Sequence, residues 1–235
     1  MIFNSPYLAC GVSAKPQNMS FIYGATEGTL ENRRVFLNTL GIDHERLIAA
    51  KQIHGITVCC AQEENAGRGA KSAATAFEAT DAFITNTKNL PLSVFTADCL
   101  SVFLYDPVKS VAGIVHAGWR GAKEGIAAKT ILMMYQRYNS APQDILAGFG
   151  PCLKKCCYEV GAEFSGHFSY GLDKVGSSFY LDLPAINKKQ LLEAGLKEEN
   201  IDSDNDCTAC CNDRYFSFRK EKEKAGRMMS VIMLR

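Results

Sequence analysis

Two apolar runs joined by a short turn constrain the fold of this chain more than any other feature. Residues 100–106 (LSVFLYD) and 111–117 (VAGIVHA) are rich in β-branched and aromatic residues, which is typical of buried strands. Asp106-Pro107 marks the turn between them. If the two strands pair, the start of the first lies beside the end of the second, and both can face one pocket.

The remaining segments predict strands and helices that do not alternate regularly. Helices are predicted over residues 30–40, about 122–138, 160–168 and 184–194. Further strands are predicted over residues 56–61, 81–85, 144–150, 177–183, 215–219 and 230–235. This order favours an α+β fold or irregular α/β sandwich, with mixed sheets flanked by helices, over a doubly wound sheet.

The bulk properties indicate one domain over residues 1–235. Nearly half of the residues are hydrophobic, and no repeat or low-complexity tract interrupts the chain. The net charge of +1 provides no electrostatic basis for binding nucleic acid or an anionic membrane. No apolar run is long enough to span a bilayer, and the first residues lack the pattern of a signal peptide, which predicts a cytoplasmic protein.

Three residues suit a transition-metal site: His54 in KQIHGITV, Cys99 in TADCLSV and His116 in VAGIVHAGWRG. Imidazole and thiolate suit a borderline-soft ion, and three protein ligands leave a fourth position open for an activated water, as in catalytic zinc sites. On the residues alone, a histidine at the end of a strand is more often hydrogen-bonded within the core than a ligand, and a metal-free Cys99–His116 nucleophile pair is a further alternative. Asp98 can orient a ligand histidine or cap a turn.

The ten cysteines are interpreted as reduced thiols, because adjacent cysteines on a strand point to opposite faces and no secretion signal supports oxidation. Two groups stand out, CLKKCC at 152–157 and CTACC at 207–211. Together they can form a structural four-cysteine zinc site, or they can be reduced cysteines that pack in the interior.

Candidate substrate-binding residues lie in two segments. Arg120 follows the single tryptophan, Trp119, near a helix start, where it can hold an anionic group or phosphate, or simply stack on Trp119. Asn32, Arg33 and Arg34 form a polar cluster on the first predicted helix. Helix geometry alone makes that cluster a solvated face.

Several motifs occur in the order and at the spacing of one known family. They are KQIHG, TDAFIT, TADCLSVFLYDP, VAGIVHAGWRGAKEGI, GFGPCLKKCCYEVG, CTAC and YFSFRK…GRMMSVIML. From about Glu31 to the C-terminus the chain resembles the polyphenol-oxidase or laccase-domain family, also called purine nucleoside phosphorylase-like or peptidoglycan editing factor. The TADC and HAGWRG blocks together are highly specific for it.

The resemblance implies an α/β sandwich similar to that of certain toxin cysteine hydrolases. It implies that the metal ligands and catalytic residues are His54, Cys99 and His116. The matching ENRR stretch adds Asn32 and Arg33 to the candidates for the substrate or phosphate pocket. The N-terminal segment departs from the family pattern, since Lys15 stands where an arginine is expected and a glycine pair is missing.

The activities that the resemblance implies span several classes. They are phosphorolysis of adenosine, inosine and methylthioadenosine, deamination of adenosine, copper-dependent polyphenol oxidation, and removal of wrong amino acids from cell-wall precursors. The leading hypothesis is a zinc enzyme that takes a purine nucleoside and phosphate. The alternatives are a metal- or cysteine-dependent amidase, a copper oxidase and a non-enzymatic metal-binding module. A multi-copper laccase needs about ten histidines, whereas this chain has four.

Overall fold

The computed structural model describes residue 3 and residues 5–235. In chain order its strands are β1 (Leu8–Val12), β2 (Val58–Cys60), β3 (Ala82–Thr85), β4 (Leu92–Thr96), β5 (Leu100–Asp106), β6 (Val111–Ala117), β7 (Leu146–Phe149), β8 (Glu159–Val160), β9 (Leu172–Val175), β10 (Ser178–Leu181), β11 (Ile201–Asp202) and β12 (Met228–Leu234). Its α-helices are α1 (Thr29–Thr39), α2 (Trp119–Lys123), α3 (Ile126–Tyr138), α4 (Leu183–Glu193) and α5 (Phe218–Glu221). Within this described part, no helix has both the length and the apolar character needed to cross a membrane.

The two constraining runs, β5 and β6, are antiparallel neighbours in a six-stranded mixed sheet of order β11-β7-β5-β6-β3-β2. Ser101 lies opposite His116, so the start of β5 lies beside the end of β6, as predicted. Asp106 closes the turn between them, because its Oδ1 accepts hydrogen bonds from the backbone N–H groups of Val108 (2.8 Å) and Lys109 (3.0 Å).

Both faces of this sheet are buried, each by a different layer. Leu100, Val102 and Leu104 of β5 pack in the same cluster as residues of α3 and α4. The alternate residues Phe103 and Tyr105 pack against a second, antiparallel sheet of order β1-β12-β4. The two-residue period of a strand produces this division. Complete burial of Phe103 (0% exposed) stabilises the fold by about 1.5–3 kcal/mol.

A helix covers the outer face of the second sheet. β12 is buried along its whole length. Its residues Met229, Val231 and Met233 pack with Leu37 of α1, whereas Ile232 points into the cluster between the sheets. The layers are therefore helices, a mixed sheet, an antiparallel sheet and a helix. This arrangement confirms the predicted α+β class.

A third sheet, of order β8-β10-β9, accounts for one wrong prediction. The helix predicted over 160–168 is absent, because Val160 pairs with Phe179 in this sheet and only a 3₁₀ segment, Ala162–Gly166, follows it. The helix predicted over 122–138 is divided at Gly125, whose φ of 77° precedes α3.

The strand predicted over 215–219 is also wrong. Ser217 begins the short helix α5 instead, since its side chain accepts a hydrogen bond from the Lys220 backbone N–H. β1 and β4, which complete the second sheet, had no sequence prediction at all.

Candidate metal centre

His54, Cys99 and His116 converge at one end of the central sheet. His116 lies in β6 and Cys99 immediately precedes β5, and the antiparallel pairing of these strands brings the two residues together. One ligand atom from each of the three residues lies within 4.8 Å of the other two. The imidazole rings of His54 and His116 meet edge to face, with centroids 4.8 Å apart. Two imidazoles and a thiol at this spacing fit a single ion such as zinc or copper.

Asp81 contacts the ring of one histidine and the backbone of the other. Its Oδ1 lies 2.8 Å from His116 Nδ1, which leaves Nε2 of that ring for an ion. The same carboxylate accepts hydrogen bonds from the backbone N–H groups of His54 and Gly55, each 2.9 Å long. His54 has a left-handed backbone with a φ of 61°, which is uncommon for a residue with a side chain. Asp81 therefore stabilises the loop that carries His54 as well as the ring of His116.

Asp98, the sequence-based candidate for orienting a histidine, has a different role. Its Oδ1 accepts a hydrogen bond from Thr208 Oγ1 (2.6 Å), and its Oδ2 accepts one from the Arg219 backbone N–H (2.6 Å). Its own φ is 88°. Asp98 thus fixes the turn before Cys99, which was the alternative interpretation. Asp81 lies within the TDAFIT motif, but its partner could be found only in three dimensions.

The two histidines favour the ionised form of the Cys99 thiol. Burial acts to raise its pKa, but the charges and hydrogen bonds of His116 and His54 outweigh it and lower the pKa to about 6. Burial acts to lower the pKa of His116, whereas Cys99 and Asp81 raise it to about 9. Without a metal the site therefore stabilises a thiolate beside an imidazolium near neutral pH.

Gly118 leaves room for His54 and Cys99 to approach each other. A Cβ atom at this position would lie 2.9 Å from His54 Cδ2 and 3.0 Å from Cys99 Sγ, which is tighter than nearly all real Cβ contacts. The first glycine of HAGWRG therefore allows the close approach of these two candidate ligands.

The centre borders a cavity of about 480 Å³, a size typical of small-molecule sites. Its aromatic lining residues are Phe21, Tyr23, Phe95, Trp119, Tyr158 and Phe218. Its cationic lining residues are Lys51, Arg33, Arg120, Arg219 and Arg227. The cavity thus combines flat apolar surfaces with positive charge beside the metal-donor group.

Arg120 and Arg33 both border this cavity but differ in exposure. Arg120 is exposed, and its guanidinium lies 4.3 Å from the Trp119 ring centroid. Arg33 is only 3% exposed, which contradicts the predicted solvated face. Its guanidinium donates to the carbonyl oxygens of Met19 and Gly69 (2.8 Å each), and burial lowers its pKa to about 9. The N-terminal segment thus buries one face of the helix that carries Arg33.

Asn32 lies beside Arg33 on α1 but outside the cavity lining, and its amide donates to the Asn18 carbonyl (3.0 Å). Two cavity arginines escaped the residue-based reasoning, Arg219 and Arg227. Both lie in the YFSFRK…GRMM block, the sequence motif from which they could have been chosen as candidates.

Comparison with known proteins gives consistent matches over nearly the whole chain. The family model described as multi-copper polyphenol oxidoreductase laccase matches residues 9–235. Purine nucleoside phosphorylase YlmD of Bacillus subtilis is 30% identical over 239 residues, covering 94% of this chain and 84% of the relative. Adenosine deaminase RL5, from an unknown prokaryotic organism, is 28% identical, covering 86% and 80%. The crystal structure of YlmD from Geobacillus stearothermophilus has a TM-score of 0.92 at 27% identity, covering 98% of this chain and 93% of that one.

Proposed function

This chain belongs to the multi-copper polyphenol oxidoreductase laccase family, as its motifs predict, and we propose that it is a zinc enzyme that cleaves purine nucleosides with phosphate and also deaminates adenosine. The observation that carries the proposal is the convergence of His54, Cys99 and His116 beside a cavity with aromatic and cationic walls. The names of the relatives, purine nucleoside phosphorylase and adenosine deaminase, support the same class.

His54, Cys99 and His116 would hold the ion. Two nitrogens and one sulfur suit Zn²⁺, and copper accepts the same donors. Such an ion would supply Lewis-acid chemistry and would lower the pKa of a water molecule that it binds. Asp81 fixes the His116 ring so that Nε2 remains for coordination.

The cavity walls supply the groups that a nucleoside and phosphate need. Aromatic side chains such as Trp119 and Phe21 provide flat surfaces on which a purine can stack. The guanidinium groups of Arg120 and Arg219 can each bind phosphate oxygens in pairs. The resulting substrates are adenosine, inosine or methylthioadenosine together with inorganic phosphate.

In phosphorolysis a phosphate oxygen forms a bond to the anomeric carbon of ribose, and the bond from that carbon to the base breaks. The base leaves with the electron pair and takes up a proton, giving a free purine and ribose 1-phosphate. In deamination, water adds its oxygen to the amino-bearing carbon of adenosine, and ammonia and inosine are the products. Cationic side chains beside the phosphate offset its charge during the first reaction.

Incubation of the purified protein with inosine, with and without phosphate, tests the proposal. We expect ribose 1-phosphate and hypoxanthine only when phosphate is present, and inosine plus ammonia from adenosine. A matched variant, Cys59→Ala, removes a half-buried cysteine from β2 outside the metal-donor groups and should retain activity. Absence of ribose 1-phosphate at every zinc or copper loading would reject the phosphorylase.

One observation favours a second candidate, an amidase that acts on a cell-wall precursor. Cys99, His116 and Asp81 form a linked series in which the thiol has a lowered pKa and the carboxylate orients the imidazole. That arrangement can attack an amide carbonyl without a metal. Release of an amino acid from a muramyl peptide precursor by metal-free protein, abolished in Cys99→Ser, would support it. A copper oxidase ranks lower, since the metal-donor groups among the described residues include only two histidines.

A further inference from the structure

A second group of metal donors lies outside the lining of the cavity. It consists of four thiols, Cys156, Cys157, Cys207 and Cys210, whose sulfur atoms all lie within 4.8 Å of one another. They come from two turns that are distant in sequence. We propose that these four cysteines bind a structural Zn²⁺ ion, separate from the ion at His54, Cys99 and His116.

The backbone brings the two turns together before any metal is considered. Cys152 and Cys207 form a parallel bridge, in which the Cys152 N–H donates to the Asp206 carbonyl (3.2 Å) and the Thr208 N–H donates to the Cys152 carbonyl (2.9 Å). A tight turn follows in the first segment, where the Cys157 N–H donates to the Lys154 carbonyl (2.9 Å). The thiols therefore meet because the fold places both turns side by side.

The sulfur spacing fits tetrahedral zinc better than a disulfide. With Zn–S bonds of about 2.3 Å, two ligand sulfurs in a tetrahedral site lie about 3.8 Å apart. The Cys210 sulfur lies 3.7 Å from that of Cys156 and 3.5 Å from that of Cys157. A disulfide requires about 2.05 Å. All four residues carry free thiols in the structure.

Packing, the other interpretation of these cysteines, does not explain the group. Cys156 and Cys210 are exposed, so their sulfurs contribute little to an apolar core. The neighbouring Cys152 is fully buried, and its sulfur accepts a hydrogen bond from the Asn205 amide (3.2 Å), which is the setting of a packing cysteine. Cys152 is therefore a core cysteine, whereas the sulfur atoms of the other four lie close together as one group.

The type of donor atom in this group also favours zinc. Soft sulfur donors in a set of four select zinc, or iron, over hard cations.

The ion would stabilise the wall of the catalytic cavity. The Leu153 N–H donates to the Asp98 carbonyl (2.8 Å), and Thr208 Oγ1 donates to the Asp98 carboxylate (2.6 Å). Leu153 and Thr208 belong to the two turns that carry the thiols, and Asp98 precedes Cys99. A zinc ion that joins the turns therefore holds the segment from which Cys99 projects.

Elemental analysis of protein purified under reducing conditions and loaded with Zn²⁺ tests the proposal. We expect two zinc ions per wild-type chain, one in Cys99→Ala and one in the double variant Cys207→Ser/Cys210→Ser. Cys211→Ser, next to Cys210 but outside the group, is the matched control and should keep both ions. Equal zinc content in the wild type and the double variant would overturn the proposal. Loss of zinc in Cys99→Ala alone would count only for the cavity site.

A measurement on Cys99→Ala with Co²⁺ replacing zinc avoids the risk that the double variant does not fold. Four thiolates should give strong sulfur-to-cobalt charge-transfer absorption, whereas the cavity site would contribute little without its thiol. Release of the zinc by a chelator should make four further thiols reactive. Absence of the cobalt band, or iron or a disulfide in place of zinc, would refute the assignment.

Discussion

The two metal-donor groups among the described residues contrast in number of donors, exposure and neighbours. The group beside the cavity, His54, Cys99 and His116, has three donors, which are two imidazoles and one thiol. Asp81 hydrogen-bonds to the imidazole of His116. The second has four thiols on two turns, two of them exposed. Three protein ligands leave a position for substrate or water, whereas four close the coordination shell. The two proposals therefore assign chemistry to the group with three donors and stability to the group with four.

The sharpest way to break this comparison is to remove the cavity thiol. Cys99→Ala should lose one metal ion. It should also lower the rate of nucleoside phosphorolysis by more than the roughly 10- to 100-fold that is typical when a residue hydrogen-bonded to a metal ligand is replaced. In metal-free protein the variant should still unfold near the wild-type temperature, because a small half-buried thiol is replaced by a methyl group of similar size. Product formation measures the activity of the variant, and thermal unfolding measures its stability. Wild-type activity with no bound metal would exclude the metal from the reaction.

The opposite pattern is expected when the four-cysteine group is disrupted. Cys207→Ser should reduce stability by about 3 kcal/mol or more, as expected for loss of a structural metal. This corresponds to a fall in Tm of roughly 6–12 °C for a chain of this size. Thermal unfolding of Cys207→Ser beside Cys211→Ser measures it. Equal Tm values for the two variants would show that the four-cysteine group does not stabilise the fold.

Substitution of Asp81 should have an intermediate effect, confined to metal binding by His54, Cys99 and His116. Asp81→Asn should weaken metal affinity by about 10- to 100-fold, because the ring of His116 loses its charged partner. Competition with a chromophoric chelator measures the affinity. Asp98→Asn is the comparison variant rather than a neutral control, since its carboxylate fixes the turn before Cys99 through Thr208 and a backbone N–H rather than through a histidine. A larger loss of metal affinity in Asp98→Asn than in Asp81→Asn would show that Asp98, rather than Asp81, supports the metal ligands.

Sequence reasoning reached the parts of both sites that depend on local pattern. The alternation and the Asp106 turn predicted the β5–β6 pair, and the pair places Cys99 beside His116. Asp81 was missed because its contacts, with His116 and the His54 loop, join segments 27 to 35 residues away. No spacing rule covers such contacts.

The cysteines show the same limit more plainly. Their spacing suggested a four-cysteine site but could not select four donors from the six in the two segments. The bridge from Cys152 to Cys207 makes that selection, by burying Cys152 and turning Cys156 and Cys210 toward each other. Likewise, the helix predicted over residues 160–168 could be rejected only once the pairing of Val160 with Phe179 of β10 was known.

A steric change should disturb the cavity group by less than removal of a ligand. Gly118→Ala places a Cβ about 3 Å from both His54 and Cys99, and overpacking of this kind costs about 1–3 kcal/mol. We expect a lower Tm and weaker metal binding, with the zinc of the four-cysteine group retained. Gly166→Ala is the matched control, because nothing lies within 4 Å of its added Cβ. Equal metal affinity in the two variants would show that the ligands can move apart.

The last contrast between the two groups concerns thiol ionisation in metal-free protein, which affects neither activity nor stability as measured above. The histidines lower the pKa of Cys99 to about 6, whereas burial and the Cys210 thiol raise that of Cys157 to about 11. Only the thiolate reacts with iodoacetamide, so at pH 7 Cys99 should be alkylated well before Cys157. Because the Cys99 pKa is lowered, its alkylation should persist below the ordinary thiol range and fall only as the pH decreases through about 6.

Peptide mapping by mass spectrometry across a pH series reads out both residues in one sample. His116→Gln should move the midpoint for Cys99 upward, toward the ordinary thiol value of about 8.5, because its main charge partner is removed. A wild-type midpoint already near that ordinary value would mean that the histidines do not stabilise the thiolate. The cavity and surface thiols would then differ in their neighbours but not in their chemistry, and the amidase alternative would lose its nucleophile.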